Sequence, residues 1–70
     1  MQVLTNALLY YRTATALRPD FADALFRYGD LLILGGDQAG GRRVLRQFLE
    51  RSREDDPRRS DVEALLDRSP

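Results

Sequence analysis

The chain has 70 residues, and its eleven Arg balance eleven Asp plus Glu, so its formal net charge is zero. This length allows one domain, residues 1–70, with a small hydrophobic core. The sequence contains no His, Cys or Lys, which excludes thiol and imidazole nucleophiles, disulfides, the usual zinc ligands and Schiff-base chemistry. We therefore expect no catalytic residues, no metal and no cofactor, and we do not expect an enzyme.

The apolar segments are too short for targeting or membrane insertion. The N-terminal stretch Met1–Leu9 has no basic region in front of it, so it does not resemble a signal peptide. The longest unbroken apolar run, Leu31–Leu34, is far below the roughly 20 residues of a membrane-spanning helix. These features predict a soluble, cytoplasmic protein.

The first two predicted elements are helices at about 2–17 and 21–34. Apolar residues in the first recur at spacings of three and four, which predicts one apolar stripe. The second helix has two adjacent apolar stripes and only a narrow polar edge, so we expect it to be buried on more than one side. Asp20 is the predicted N-cap of this helix, and Asp23 adds negative charge to its first turn.

The third and fourth predicted helices lie at about 38–53 and 60–67. The third begins after Asp37 and directs Val44, Leu45, Phe48 and Leu49 inward. Gly40 and Gly41 near its start indicate either a close approach by another helix backbone or a loosely wound first turn. Ser60 and Glu63 fit a capping box at the start of the fourth helix. All four segments together predict an all-α fold.

The chain also carries an internal repeat. A shift of 34 residues aligns the first helix with the third, and this shift places Ala7 on Gly41, Tyr11 on Leu45, Arg12 on Arg46 and Ala14 on Phe48. A period of 34 in helical hairpins is typical of tetratricopeptide repeats.

The residues that match this repeat occur in the expected order. The residues Ala7, Tyr11, Ala14 and Pro19 resemble the second helix of a tetratricopeptide repeat. The residues Leu25, Tyr28, Gly29 and Leu32 resemble the first helix of the next repeat. Gly36-Asp37 resembles the turn between its two helices, and Gly41, Leu45 and Phe48 resemble its second helix.

This resemblance implies antiparallel helix hairpins of the right-handed superhelical type, with about one and a half repeats and a C-terminal capping helix. The closing proline, Pro57, lies four residues later than the repeat register requires, so we expect the third helix to be about one turn longer. The family resemblance also implies a protein–protein interaction or scaffold role.

One and a half repeats leave more apolar helix surface than the chain itself can cover, since repeat units bury their faces against neighbours. We therefore expect partner binding through the first two helices, either to a second copy, as a homodimer or higher oligomer, or to another protein or peptide. A minimal or engineered oligomerisation unit without a ligand is the alternative. The expected apolar contact residues are Val3, Leu4, Leu8, Tyr10, Tyr11, Phe26 and Ile33.

An Arg cluster in the third helix allows a second type of partner. Arg42, Arg43 and Arg46 occur at helical spacing, and guanidinium groups bind phosphates and carboxylates through two parallel hydrogen bonds. Their presence is compatible with an anionic ligand or an accessory nucleic-acid contact. The favoured reading is a solvated helix face on which Arg46 pairs with Glu50. Nucleic-acid binding is the less favoured reading, because the later Arg residues alternate with acids and have no aromatic neighbours beyond Phe48.

Overall fold

A computed structural model describes the backbone of residues 2–18 and 21–68 and, within these ranges, the side chains from residue 6 onward. The described residues form four α-helices and no strand, and the helices are α1 (Gln2–Leu17), α2 (Ala22–Leu34), α3 (Gln38–Arg51) and α4 (Arg58–Arg68). The all-α prediction is confirmed. No helix in the described part of the chain is long and apolar enough to cross a membrane.

The helices pack in chain order. Within the described residues, α1 lies beside α2, α2 beside α3, and α3 beside α4. The neighbours of Gly29 and Gly41 show that α2 and α3 are antiparallel, because Gly29 meets Leu45 while Gly41 meets Ile33. The core is made mainly by α2 and α3, and α4 closes one side of it. Its fully buried apolar side chains are Ala24, Leu25, Leu45, Phe48 and Val62.

The turn between α2 and α3 follows from its sequence. Gly36 has a φ of 99°, a conformation that favours glycine. The N–H of Gly36 donates to Ile33 and the N–H of Asp37 donates to Leu32, which is the Schellman arrangement at a helix end. Asp37 is the N-cap of α3, since its Oδ1 accepts a hydrogen bond from the Gly40 N–H at 2.9 Å. The predicted turn at Gly36-Asp37 is confirmed.

Gly29 and Gly41 mark a close contact between helix backbones. A Cβ on residue 41 would lie 2.7 Å from the Gly29 carbonyl oxygen and 3.2 Å from the Ile33 nitrogen. Gly41 therefore permits the close approach of α2, which decides between the two explanations that the sequence left open. Gly40 is different, since its neighbour is the capping side chain of Asp37.

The ends of α2 and α3 differ from the predicted ones. The N-cap of α2 is Phe21, whose side chain makes no capping hydrogen bond, and Asp20 lies outside the described residues. The prediction of a longer third helix is wrong. The helix ends at Arg51 rather than at residue 53, and Ser52 has extended backbone angles, so the residues before Pro57 form a connecting turn.

The start of α4 also differs from the prediction. Ser60 lies inside α4 and cannot be its N-cap. Asp56 takes this role, because its Oδ1 accepts a hydrogen bond from the Arg58 N–H at 2.9 Å. Pro57 follows the capping residue, and proline is favoured in the first position of a helix because its missing N–H would have no helical partner. The Asp56-Pro57 pair therefore indicates the start of α4 better than Ser60 and Glu63 do.

Candidate interaction surface

The outward side of α1 is exposed and uncharged. We call it the outer face of α1, and its residues are Asn6, Leu9, Tyr10, Thr13, Ala16 and Leu17. Leu9, Tyr10 and Leu17 are 54%, 67% and 76% exposed. Removing apolar side-chain surface from water is favourable by roughly 25 cal/mol per Å², so covering these large side chains would release free energy. Nothing in the described part of the chain covers them.

The opposite side of α1 packs against α2 and is only half buried. Leu8 and Tyr11 are both on this side. Tyr11 borders a hollow of about 320 Å³ together with Phe26 and Asp30 of α2. The Tyr10 ring packs edge-on against Tyr11, with centroids 5.1 Å apart. This pair connects the outer face of α1 to the α1–α2 contact.

The remaining predicted apolar contact residues have other environments. Phe26 and Ile33 pack against the core cluster and are half buried, so most of their surface is already used within the chain. The sequence alone could not distinguish them from partner-binding residues, because both lie on apolar stripes of α2. Val3 and Leu4 belong to α1, but their side chains lie outside the described residues.

The Arg cluster on α3 does not form one convergent site. Arg42 and Arg46 border a shallow hollow of about 410 Å³ with Gln38 and Ala39, whereas Arg43 is exposed outside that lining. Arg42 has interactions within the chain.

Arg46 has acidic neighbours on its other side. It borders a hollow between α3 and α4 whose lining includes Glu63 and Asp67. Carboxylates in this position oppose the binding of an anion. The Arg46–Glu50 pair expected from the sequence is absent from the ion pairs of the described residues.

Two Arg residues that sequence reasoning passed over attach α4 to the rest of the fold. The Arg58 guanidinium lies 2.8 Å from Asp23 of α2 and 2.8 Å from Asp56. It also lies 5.3 Å from the ring centroids of both Phe26 and Phe48, a distance that allows cation–π attraction. The sequence Asp56-Pro57-Arg58 indicates the start of a helix, but it does not indicate that Arg58 contacts α2.

Arg59 attaches α4 to α3. Its Nη1 donates to the Leu49 carbonyl oxygen at 2.6 Å and to the Ser52 hydroxyl at 2.9 Å. Leu49 lies in the last turn of α3, where carbonyl groups have no partner within the helix. Arg59 therefore satisfies an unpaired acceptor at the end of α3 while it holds α4 in place.

The shifted pKa values belong to this attachment. Hydrogen bonds from the Arg58 side chain and backbone lower the pKa of Asp56 to about 2. The same side-chain hydrogen bond raises the pKa of Arg58. Shifted pKa values mark candidate functional sites in general, but here Asp56 and Arg58 bind each other, and Arg58 also binds Asp23. Their role is to hold α4 in place.

Comparison of the chain with protein-family models, with curated proteins and with solved structures finds no match. The resemblance to tetratricopeptide repeats therefore has no support from relatives and stays a prediction.

Proposed function

We propose that the chain is a protein–protein interaction module, built as a tetratricopeptide-like scaffold, that associates with a second copy of itself through the outer face of α1. The observation that carries this proposal is the exposure of Leu9, Tyr10 and Leu17 on a helix face without charge. In a chain of which 31% is charged, an uncharged face with three large exposed hydrophobic side chains indicates a binding surface.

The packing order of the helices supports the proposal. Helices of a repeat array lie between two neighbours, and an array needs such neighbours for stability. In the described residues α1 has one neighbour, α2, and no α1 side chain is fully buried. A second helix against the outer face of α1 would supply the missing neighbour.

The close contact between α2 and α3 supports the repeat-type architecture. The family resemblance assigns Gly29 to the helix–helix contact, and Gly29 meets both Gly41 and Leu45. The family resemblance also assigns Gly36-Asp37 to the turn between helices, and these residues close α2 and begin α3.

Sedimentation velocity across a concentration series from micromolar to millimolar tests the proposal. We expect the native chain to form a dimer, and Leu17→Glu to be monomeric, because it replaces an exposed leucine of the contact with a charge. Ala64→Glu is the control, since it adds the same charge to an exposed position of α4. A native chain that stays monomeric throughout, or equal weakening by both variants, would contradict the proposal.

A further inference from the structure

The outer face of α1 contains a seam with the spacing of a helix-pairing surface. Asn6, Tyr10, Thr13 and Leu17 follow one another at intervals of four, three and four residues, and all four are exposed. Intervals of four and three residues in alternation, which average 3.5 residues over a heptad, are those at which two helices remain in contact along their length. The occupant that fits such a seam best is another helix.

The charges of α1 favour a second copy as this occupant. Arg12 and Arg18 are the only charged residues among residues 2–18, and neither belongs to the seam. A second copy therefore covers the seam without burying a charge, which would carry a large desolvation cost. The opposing helix then has the same uncharged seam, and two-fold pairing is the commonest symmetry of homo-oligomers.

Size and charge also determine the direction of pairing. In a parallel pair, every seam residue faces its own copy, so Tyr10 opposes Tyr10 and the two Arg18 cations lie side by side. In an antiparallel pair centred between Tyr10 and Thr13, the large Tyr10 opposes the smaller Thr13, and Leu17 opposes Asn6. The two Arg18 residues then lie at opposite ends, and the helix dipoles are antiparallel.

We infer that two copies of the chain pair their α1 helices antiparallel, with Tyr10 against the partner's Thr13 and Leu17 against the partner's Asn6. This inference rests on the proposed self-association and adds to it the direction and register of the contact. α1 has 16 residues, which corresponds to a length of about 24 Å. A contact made by a single helix of this length buries little surface, and small interfaces are typical of transient complexes, so we expect a reversible dimer.

Disulfide trapping tests the direction of pairing, because the native chain has no Cys. The two single variants Asn6→Cys and Leu17→Cys are oxidised separately and as an equimolar mixture, and Ala64→Cys measures random collision. Identical positions in the antiparallel pair are about 16 Å apart along the helix, too far for a disulfide. We expect the mixed dimer to form at least several-fold faster than either single variant with itself.

The other outcomes separate the inference from the proposed function. Rapid trapping of each single variant with itself would show parallel pairing, which overturns the inference and leaves self-association in place. If the chain sediments as a dimer but the Asn6→Cys and Leu17→Cys variants, alone or mixed, cross-link no faster than Ala64→Cys, the contact lies on another face. The inference would again be wrong. If cross-linking is equally slow and the chain sediments as a monomer, both the antiparallel pairing and the proposed self-association are overturned.

Discussion

The carbonyl oxygen of Gly29 lies 2.7 Å from the position that a Cβ atom on residue 41 would occupy. At this crossing α2 and α3 meet through their backbones, and the missing side chain is what permits the contact. On the other side of the crossing, a Cβ on residue 29 would lie 2.7 Å from Leu45 Cγ and 3.1 Å from the Gly41 carbonyl oxygen. The two glycines therefore set the distance between the helices that form the core.

We predict that Gly41→Ala destabilises the fold, although alanine favours a helix over glycine by about 1 kcal/mol. The new methyl group would meet backbone atoms of α2, which cannot move separately from their helix. Overpacking in a core costs about 1–3 kcal/mol, so the expected net loss is about 1 kcal/mol in urea denaturation. Gln47→Ala, at an exposed position of α3, is the control and should change little. A more stable Gly41→Ala variant would disprove the close contact.

We predict that Arg58→Ala lowers the free energy of unfolding by about 2 kcal/mol, because hydrogen bonds to charged groups and cation–π contacts are lost together. Arg58→Lys should recover part of the loss, since lysine keeps the charge but not the planar guanidinium. Arg53→Ala is the matched control. Arg53 is 88% exposed and lies 3.5 Å from Asp55, and exposed pairs contribute about 0–1 kcal/mol. Equal losses from Arg58→Ala and Arg53→Ala would show that Arg58 does not hold α4.

Stability should fall in acid because of Asp56. The pKa of Asp56 is lowered in the folded chain to about 2 from 3.8. A carboxyl with a depressed folded-state pKa stabilises the fold above its unfolded-state pKa, and this contribution is lost as the pH falls through the folded-state value. We therefore expect part of the unfolding free energy to disappear between about pH 4 and pH 2.

Urea denaturation at a series of pH values measures this effect. Asp56→Asn keeps a side-chain acceptor for the Arg58 N–H but removes the titrating group, so the variant should be less stable at neutral pH and should lose less stability in acid. Asp55→Asn removes a carboxylate that is 78% exposed, and its acid dependence should remain close to that of the native chain. The same acid dependence in Asp56→Asn as in the native chain would contradict the assignment to Asp56.

We predict that Gly36→Ala destabilises the α2–α3 turn by about 1 kcal/mol, because a side chain at positive φ is strained even where space is open. No heavy atom lies within 4 Å of the position of its Cβ, so the cost would come from the backbone conformation alone. Gly36→Asn should cost less, since asparagine tolerates positive φ better than other residues. Thermal unfolding of the two variants compares these effects, and an alanine variant as stable as the asparagine variant would exclude backbone strain as the cause.

The sequence by itself determined the features that depend on neighbouring residues. The apolar spacing of α1 and of α3, the end of α2 at residue 34 and the start of α3 directly after Asp37 all appear where the pattern predicts them. These features arise within one or two helical turns, where backbone geometry and local hydrogen bonds dominate.

The tertiary structure alone decided how the elements are used. The sequence does not reveal that Arg58 reaches Asp23, because 35 residues separate them, or that Val62 joins the core while Ala64 is exposed. It also cannot show which apolar residues remain uncovered: Phe26 and Ile33 pack against the core, whereas Leu9, Tyr10 and Leu17 are exposed on α1. Burial depends on which helices lie side by side, and that relationship exists only in the folded chain.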